Sequence, residues 1–396
     1  MQLTTETLQF IEAHAQEDVR KLALQSKKQP GVDFVAAITQ IAGRQIAKSK
    51  LPTWYHTEGV YYPPPLSMEQ CSSELTAAFK AELVKGDRFV DLTGGFGIDF
   101  TYLARSFKEV SYVERQEVLC QLGKHNFPLL GLPHAAIYNQ DGMEYLQQME
   151  PVDALFIDPA RRDERGGKTV AISSCEPNIA EWETLLTTKA KRVLVKLSPM
   201  LDLSLALREL KKVSEVYIVS VDNECKELLL VLEATPTPEE LIEVHCVELK
   251  SSGERTIFSF NRKEEREAKQ KLATQVGHFL YEPYASVLKA GAYRILTEAF
   301  PVEKLHTSSH LYTSEELVPD FPGRKFKVKS IAGFGKRELK EFLQGVEKAN
   351  LTVRNFPATV ADLRKRLKLK EGGDIYLFAT TLKSEEKVVI KTEKAT

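Results

Sequence analysis

Hydrophobic and polar positions follow two different periods along the chain. Near the N-terminus, apolar residues recur every three or four positions, and this spacing predicts two helices within residues 4–48. Asp33 is the expected N-cap of the second helix. The proline-rich run at 61–65 cannot be helical, and Ser67 is expected to cap a helix that ends near Lys80.

From residue 88 onwards, short apolar runs alternate with helical stretches. This alternation predicts a parallel sheet with helices on both faces. Only residues 222–227 separate the last two strands, too few for a parallel crossover, so the seventh strand is expected to run antiparallel as part of a hairpin. The predicted strands are 88–92, 110–114, 135–138, 154–157, 192–197, 216–221 and 228–232.

Two prolines at 236 and 238 mark a boundary after this sheet. The following segment is expected to form strands over 241–248 and 255–260 and a charged helix over 262–280. The last segment alternates again and predicts strands 325–331, 351–356, 375–382 and 387–392 with helices 336–348 and 359–369. The predicted organisation is a helical segment (1–60), the sheet domain (61–235), a small α+β domain (239–317) and a small α/β module (318–396).

Composition restricts the class of protein. The fractions of hydrophobic residues (43%) and charged residues (28%) are those of a soluble globular chain, and no apolar run is long enough for a membrane span. No basic stretch leads into an apolar one at the N-terminus, so no secretory signal is expected. The cysteines form no CxxC pair and have no clustered histidines nearby, so neither a metal site nor a disulfide framework is expected, and the cytoplasm is the expected compartment.

Charge is distributed unevenly. Residues 318–396 contain 18 Lys and Arg against 10 Asp and Glu, a net charge of +8, whereas residues 1–317 carry −9. The helix expected over 359–369 has an apolar stripe of Val360, Leu363 and Leu367, and its other positions are rich in Lys and Arg. A basic module on an acidic body indicates a polyanion such as RNA, and a solvated lysine-rich surface is an equally weighted alternative.

A glycine-rich turn, residues 91–99, follows the first predicted strand. Glycines 94, 95 and 97 let the backbone pass close to a ligand. A dinucleotide is disfavoured because Phe100 stands at the third position of that fingerprint, and because Asp91 would repel a phosphate. A cationic ligand without phosphate, such as S-adenosylmethionine, suits this turn better.

Two further acidic residues follow the next strands. Glu114 ends the second strand, at the spacing of a ribose-binding acid, and Asp141 follows the third, where it can accept from an adenine amine. Each alone is more often a solvated carboxylate. Three acids at successive strand ends are harder to dismiss, because parallel sheets bind ligands at that edge.

Over about residues 66–235 the chain resembles the class I S-adenosylmethionine-dependent methyltransferases, whose Rossmann-like seven-stranded sheet also ends in an antiparallel strand. The resemblance implies that the carboxypropyl tail of the cofactor lies near Gly94–Gly97, the ribose on Glu114 and the adenine near Asp141–Gly142. The implied cofactor-binding residues are Asp91, Thr93, Gly94, Gly95, Gly97, Glu114, Asp141 and Gly142, with Gln70 and Ser72 as weaker candidates.

Asp158 and Pro159 follow the fourth strand, which in this fold faces the transferable methyl group. Their carboxylate and free carbonyl are two acceptors for an exocyclic amine. The motif resembles the (Asp/Asn)-Pro-Pro-aromatic signature of amino-methylating enzymes, with Ala160 and Arg161 at the last two positions. Asp158, Pro159 and Arg161 are therefore the catalytic candidates.

Basic residues nearby are candidates for substrate binding. Arg161 and Arg162 either hold a base or a phosphate or pair with the acidic residues at 163 and 164. Lys168 lies in a glycine loop, and Lys196 ends the fifth strand, where it either touches substrate or neutralises Asp158. A C5 mechanism on a pyrimidine needs a cysteine nucleophile, and the only thiol close by, Cys175, is better explained as a buried, inert residue.

Residues 321–390 are similar to THUMP-like domains found behind some bacterial methyltransferases. With the stretches 51–54 and 67–73, they suggest the family of methyltransferases that carry a C-terminal THUMP-like domain. The resemblance implies RNA, tRNA or rRNA, as the partner. The leading hypothesis is a cytoplasmic S-adenosylmethionine-dependent enzyme that methylates an RNA base nitrogen by direct in-line transfer, without a metal or a membrane. The alternatives are a protein or small-molecule methyltransferase and a non-catalytic RNA-binding protein; no oligomeric state is predicted.

Overall fold

The computed structural model describes residues 3–25, 30–161 and 171–395. The chain forms two compact units, one from the residues up to 215 together with 228–237, the other from 216–227 together with those from 238 onwards. The division into four segments at 60, 235 and 317 stays a prediction. No helix in the described ranges is both long enough and apolar enough to cross a membrane.

The first unit begins with helices. Two helices were expected within residues 4–48, and the structure has α1 (Thr5–Ala13), α2 (Val19–Gln25) and α3 (Phe34–Lys50) there. The first predicted helix is interrupted after Ala13, because the Asp18 carboxylate accepts from the backbone N–H groups of Arg20 and Lys21 and starts a new helix. The Asp33 cap is confirmed, since its carboxylate accepts from the Ala36 N–H at 3.0 Å. The next helices are α4 (Pro52–His56), α5 (Pro65–Gln70) and α6 (Glu74–Ala81).

The cap predicted at Ser67 is wrong. Pro65 opens the short helix α5, at the first helical position, where a missing N–H costs nothing. The chain is then extended, and the Ser73 hydroxyl caps a separate helix, α6, by accepting from the Thr76 N–H at 3.2 Å.

A largely parallel sheet forms the core of the first unit, in which the strands follow the order β8-β9-β7-β4-β1-β2-β3. Its strands are β1 (Arg88–Asp91), β2 (Glu109–Val113), β3 (Ala136–Tyr138), β4 (Val152–Ile157), β7 (Ala190–Leu197), β8 (Val213–Val221) and β9 (Glu224–Leu232), and a short ribbon beside it pairs β5 (Ala160–Arg161) with β6 (Cys175–Glu176). The connecting helices are α7 (Ile98–Leu103), α8 (Glu117–Leu129), α9 (Gly142–Gln148), α10 (Ile179–Lys189) and α11 (Leu203–Glu209).

The sheet confirms the predicted fold class. β1 pairs parallel with β2 and β4, and β4 with β7, whereas β9 pairs antiparallel with β7. β9 follows β8 (Val213–Val221) after a turn of Asp222 and Asn223, both with positive φ. The register places Asp91 between Tyr112 and Phe156, so the residues just beyond β1, β2 and β4 meet at one edge.

The second unit contains the tip of the β8–β9 hairpin, the strands β10 (Glu243–Leu249) and β11 (Arg255–Asn261), and a separate sheet. That sheet has the order β13-β14-β12-β15-β18-β17-β16. Its strands are β12 (Phe279–Pro283), β13 (Glu303–Lys304), β14 (Tyr312–Ser314), β15 (Gly323–Gly333), β16 (Asn350–Arg354), β17 (Ile375–Thr381) and β18 (Lys387–Lys394), and its helices are α12 (Arg262–Glu267), α13 (Ala285–Ala290), α14 (Leu296–Ala299), α15 (Lys336–Phe342) and α16 (Val360–Leu367).

Two helix predictions in this unit are wrong in extent. The helix expected over 262–280 ends at Glu267, and Phe279 opens strand β12. The intervening backbone bonds to distant residues instead: the Ala273 N–H donates to the Lys304 carbonyl, and the Lys304 N–H to the Lys271 carbonyl, both at 2.9 Å. The helix expected over 336–348 ends at Phe342.

Candidate active site

A pocket of about 540 Å³ lies at the carboxyl edge of the parallel sheet, within the size range of small-molecule sites. Its walls come from the end of α5, the turn after β1, the ends of β2, β3, β4 and β7, and residues 176–182. All eight predicted cofactor-binding residues line it, with the weaker candidates Gln70 and Ser72, and so do Asp158, Pro159 and Lys196.

The glycine turn forms one wall because side chains are excluded there. A Cβ on Gly94 would lie 2.1 Å from a ring atom of Tyr112. Gly95 and Gly97 have φ of +55° and +87°, which favours glycine at both positions. The Tyr112 hydroxyl donates to the Gly95 carbonyl, and the Gly97 N–H donates to the Gly94 carbonyl at 2.9 Å, so the turn is rigidly closed before α7 begins.

Asp91 is buried at the end of β1, with 1% of its surface exposed. Its Oδ1 accepts from the Thr93 N–H at 2.9 Å, whereas Oδ2 has no hydrogen-bond partner among the described residues. Burial raises the pKa of the Asp91 carboxyl well above its usual value, and the nearby carboxylates of Asp99, Asp158 and Glu114 raise it further. The pocket therefore contains a desolvated acid whose second oxygen is unsatisfied, and a cationic ligand would stabilise its charged form.

Glu114 follows β2 and has 7% of its surface exposed. Its Oε2 accepts from the Gly95 N–H and its Oε1 from the Gln116 N–H, each at 2.8 Å. A carboxylate has about four lone-pair sites, so two remain for hydroxyl groups of a ligand. The backbone on either side thus fixes the orientation of this acid before any ligand arrives.

Asp141 has a structural role that the sequence analysis did not assign. Its Oδ1 caps α9 by accepting from the Met143 and Glu144 N–H groups at 2.8 and 3.2 Å. A Cβ on its neighbour Gly142 would lie 2.1 Å from the Leu92 carbonyl oxygen, so α9 starts in direct contact with the turn after β1. The cap holds the Asp141 carboxylate at the exposed rim of the pocket.

Asp158 follows β4 and lines the same pocket. Its N–H donates to the Thr93 hydroxyl at 2.7 Å, which ties the Asp–Pro step to the glycine turn. Its Oδ2 forms an ion pair with the Lys196 ammonium, so of the two predicted roles of Lys196 this geometry supports neutralisation of Asp158. Burial raises the pKa of the Asp158 carboxyl, and Lys196 opposes that shift.

Lys80 and Asp99 extend this ion pair, and the sequence analysis missed both. Lys80 is completely buried, and its Nζ lies 2.9 Å from Asp99 Oδ1 and 3.0 Å from the Ser72 hydroxyl. Burial alone would raise the pKa of Asp99, but Lys80 and Lys196 outweigh it and hold that pKa below its usual value. The available signal was a lysine on the buried face of α6, beside Ala77 and Thr76.

The remaining wall comes from the segment that follows β6. Ala160 in β5 pairs with Glu176, which brings Pro177, Asn178 and Trp182 to the pocket. Sequence reasoning did not single out these residues, because no local motif marks them. The Arg161 side chain and all of Arg162 and Lys168 lie outside the described residues.

The "putative methyltransferase from Porphyromonas gingivalis W83" shares 33% identity with the chain over 99% of this chain and 98% of its own, with a TM-score of 0.89. A family model of a THUMP domain-like domain matches residues 323–394. The chain belongs to this family of methyltransferases with a C-terminal THUMP-like domain. The predicted resemblance is thereby confirmed, and a model of a ferredoxin-like domain matches residues 279–322.

Other solved structures are more distant. An rRNA methylase from Streptococcus thermophilus is 16% identical over 40% of this chain and 94% of its own, with a TM-score of 0.31. SMU.1697c from Streptococcus mutans, a "putative methyltransferase" in complex with SAH, is 16% identical over 40% of this chain and 97% of its own, with a TM-score of 0.28. Comparison with curated proteins finds no match.

Proposed function

We propose that this methyltransferase uses S-adenosylmethionine and transfers the methyl group to RNA, at a base nitrogen. The observation that carries the proposal is the unsatisfied Oδ2 of the buried Asp91, in a pocket whose glycine wall and oriented Glu114 leave room for a nucleoside. A dinucleotide or a nucleoside triphosphate would bring phosphates next to this acid. A ligand with a cationic centre and no phosphate fits these residues.

Asp91 would attract the cationic part of the cofactor, and Glu114 would accept from its ribose hydroxyls. Bonds to a charged acceptor contribute about 1.5–3 kcal/mol each. Thr93, Gly94, Gly95 and Gly97 would surround the amino-acid tail, with Gln70 close by, and Asp141 and Gly142 would contact the adenine; all of these residues line the pocket. When bound, S-adenosylmethionine supplies a methyl group on a sulfonium centre.

Asp158 and Pro159 would orient the acceptor. The Asp158 carboxylate and a backbone carbonyl of the Asp–Pro step, where proline has no N–H, can each accept a hydrogen bond from an amine. With both N–H groups held in this way, the nitrogen lone pair would point into the pocket. The bond from the Asp158 N–H to Thr93 fixes this step relative to the glycine turn, and positioning of this kind accelerates transfer. In the same proposal Arg161, Arg162 and Lys168 contact the substrate, and Lys196 acts through its ion pair with Asp158.

The C-terminal module supports RNA as the substrate. The helices α15 and α16 turn their apolar faces, with Leu339 and Leu363, towards the sheet. Lysines at 336, 340, 365, 368 and 370 are exposed on and beside these helices. Exposed lysine side chains are suited to contact with phosphates, and such binding weakens steeply with salt.

The test uses the full-length chain. Calorimetry should detect binding of S-adenosylmethionine, and incubation with labelled donor and total RNA should place label in an RNase-sensitive fraction. Asp158→Asn should abolish transfer and keep affinity for S-adenosylhomocysteine within a few-fold. Asp153→Asn is the matched control, because Asp153 lies at the other end of β4 and pairs with Lys191.

Each alternative gives a different result. Label that resists RNase would indicate a protein or small-molecule acceptor. RNA binding with no affinity for either S-adenosyl compound would indicate a non-catalytic RNA-binding protein and would refute the proposal.

A further inference from the structure

The pocket contains more acidic groups than a single cation needs. Asp91 ends β1 and Glu114 follows β2, whereas Asp99 and Asp158 both contact Lys196 of β7. Two lysines, Lys80 and Lys196, pair with Asp99 and Asp158, and Arg115 is a basic residue that lines the pocket beside Glu114. The negative charge available to a sulfonium therefore depends on whether these lysines neutralise Asp99 and Asp158.

The contacts form a continuous chain of alternating charges. Lys80 Nζ lies 2.9 Å from Asp99 Oδ1, Lys196 Nζ lies 3.4 Å from Asp99 Oδ2, and Lys196 forms the ion pair with Asp158. The Ser72 hydroxyl donates to Asp99 Oδ2 at 2.8 Å and so fixes the carboxylate between the two lysines. Two positive and two negative groups leave this end of the pocket close to neutral.

Because these charged groups are buried, the energy of each one depends strongly on its charged neighbours. Lys80 is fully buried, and the side chains of Asp99 and Lys196 are only 10% and 12% exposed. Removing one partner of a buried pair leaves an uncompensated charge, which is costly. Each group therefore restrains the next, from the helix α6 through the start of α7 to the end of β7.

We propose that Asp99, held by Lys80 and Ser72, is a positioning residue that keeps Lys196 paired with Asp158, and that this pairing reserves the Asp158 carboxylate for the acceptor instead of the cationic cofactor. The inference rests on the proposed function. Without Lys196, Asp158 would add its negative charge to the attraction of the sulfonium, and the donor would bind more tightly without gaining reactivity.

The readout is the ratio of affinities for S-adenosylmethionine and S-adenosylhomocysteine, measured by calorimetry at about pH 8, where carboxylates ordinarily carry charge. The two compounds differ by the methyl group and its sulfonium charge, so the ratio reports the local charge and cancels contacts with ribose and adenine. Lys196→Met should shift the ratio towards the donor by about tenfold, which is about 1.4 kcal/mol. Asp158→Asn should shift it the other way, because Lys196 is then unneutralised.

The double variant K196M/D158N removes both charges and should return the ratio to within a few-fold of the parent. K196R, which keeps the charge, should leave it unchanged. Asp99→Asn tests the positioning role: if Asp99 keeps Lys196 on Asp158, its loss should shift the ratio towards the donor, as Lys196→Met does. A shift in the direction of Asp158→Asn would show that Asp99 contributes charge alone and would overturn its positioning role. If this variant does not fold, the cycle at 158 and 196 still decides the charge balance. Lys191→Met is the matched control, since this exposed lysine lies at the start of the same strand and should not alter the ratio.

Two further results would overturn the inference, and they differ. If the parent binds both compounds and the ratio is the same in K196M and D158N, the charge balance does not control the site and only this inference fails. If the parent binds neither compound, the proposed function fails and this inference fails with it.

Discussion

Replacement of Asp91 by asparagine should stabilise the ligand-free protein at neutral pH. The carboxyl group is 1% exposed, and Oδ2 has no hydrogen-bond partner among the described residues, so burial raises its pKa well above the usual value. A raised pKa means that the folded chain binds this proton more tightly than the unfolded chain. Stability from this group is therefore present at low pH and is lost as the pH rises through the interval between the usual and the raised pKa.

The size of the effect follows from the linkage between protonation and folding. A single group of this kind lowers the free energy of unfolding by up to about 1.4 kcal/mol for each pH unit in that interval. Asparagine keeps an oxygen for the Thr93 N–H, which Asp91 Oδ1 accepts at 2.9 Å, and it does not titrate. The variant should therefore exceed the parent in stability at about pH 8 by the amount that the parent has lost.

Urea unfolding from about pH 4 to about pH 8 measures this directly, because the difference between variant and parent isolates the one group. The difference should grow with pH. Asp87→Asn is the control, since Asp87 is exposed and pairs with Lys108, and its difference should not grow. A stability difference for Asp91→Asn that is independent of pH would refute the reasoning. A gain in stability together with weaker donor binding would show that Asp91 serves ligand binding at a cost to the stability of the fold.

Three further predictions concern other parts of the chain. Glu114→Gln should weaken S-adenosylmethionine and S-adenosylhomocysteine alike, by about 100-fold, because both carry the ribose; calorimetry with Glu109→Gln as control would contradict this if both variants behaved the same. Gly142→Ala should cost about 1–3 kcal/mol of stability in urea, since its Cβ would lie 2.1 Å from the Leu92 carbonyl, and an unchanged midpoint would be inconsistent with that contact. Burial lowers the pKa of Lys304 to about 8, so the unfolded chain binds its proton more tightly and stability should rise between about pH 8 and 10.5. Lys304→Met should abolish that rise, and a persisting rise would assign it to other groups.

The parallel sheet was predictable because its strands are apolar over nearly their whole length. In β4, residues 154–157 are at most 1% exposed, which is what a strand covered on both faces requires. The antiparallel β9 followed from the shortness of its connection to β8. The helix expected over 262–280 was predicted wrongly because long-range contacts determine the backbone there. The N–H groups of Ala273 and Lys304 bond to residues distant in sequence, and a local hydrophobic period cannot show such bonds.

In the site, too, the residues that local sequence marks were predicted and those that depend on long-range contacts were missed. Asp91, Glu114 and Asp158 were found because each ends a strand, and parallel strands bring their ends to one edge. Lys80 was missed because its partner Asp99 comes from another helix, so the pair exists only after folding. The cap at Ser73 was missed because Ser67 stands in an equivalent local context, and only the proline start of α5 separates the two.

The hairpin of β8 and β9 determines how RNA binding should be measured. Its tip, residues 216–227, belongs to the same compact unit as the residues from 238 onwards. The Ser220 hydroxyl donates to the Val247 carbonyl at 3.0 Å, the Asn223 N–H to the buried Glu248 at 2.6 Å, and the Ala285 N–H to the Asn223 side chain at 2.9 Å. A fragment that starts after the prolines at 236 and 238 would lose these partners and leave Glu248 buried without them. Because loss of RNA binding by such a fragment would not separate a missing contact surface from a damaged fold, point substitutions of exposed lysines in the full-length chain are the informative variants.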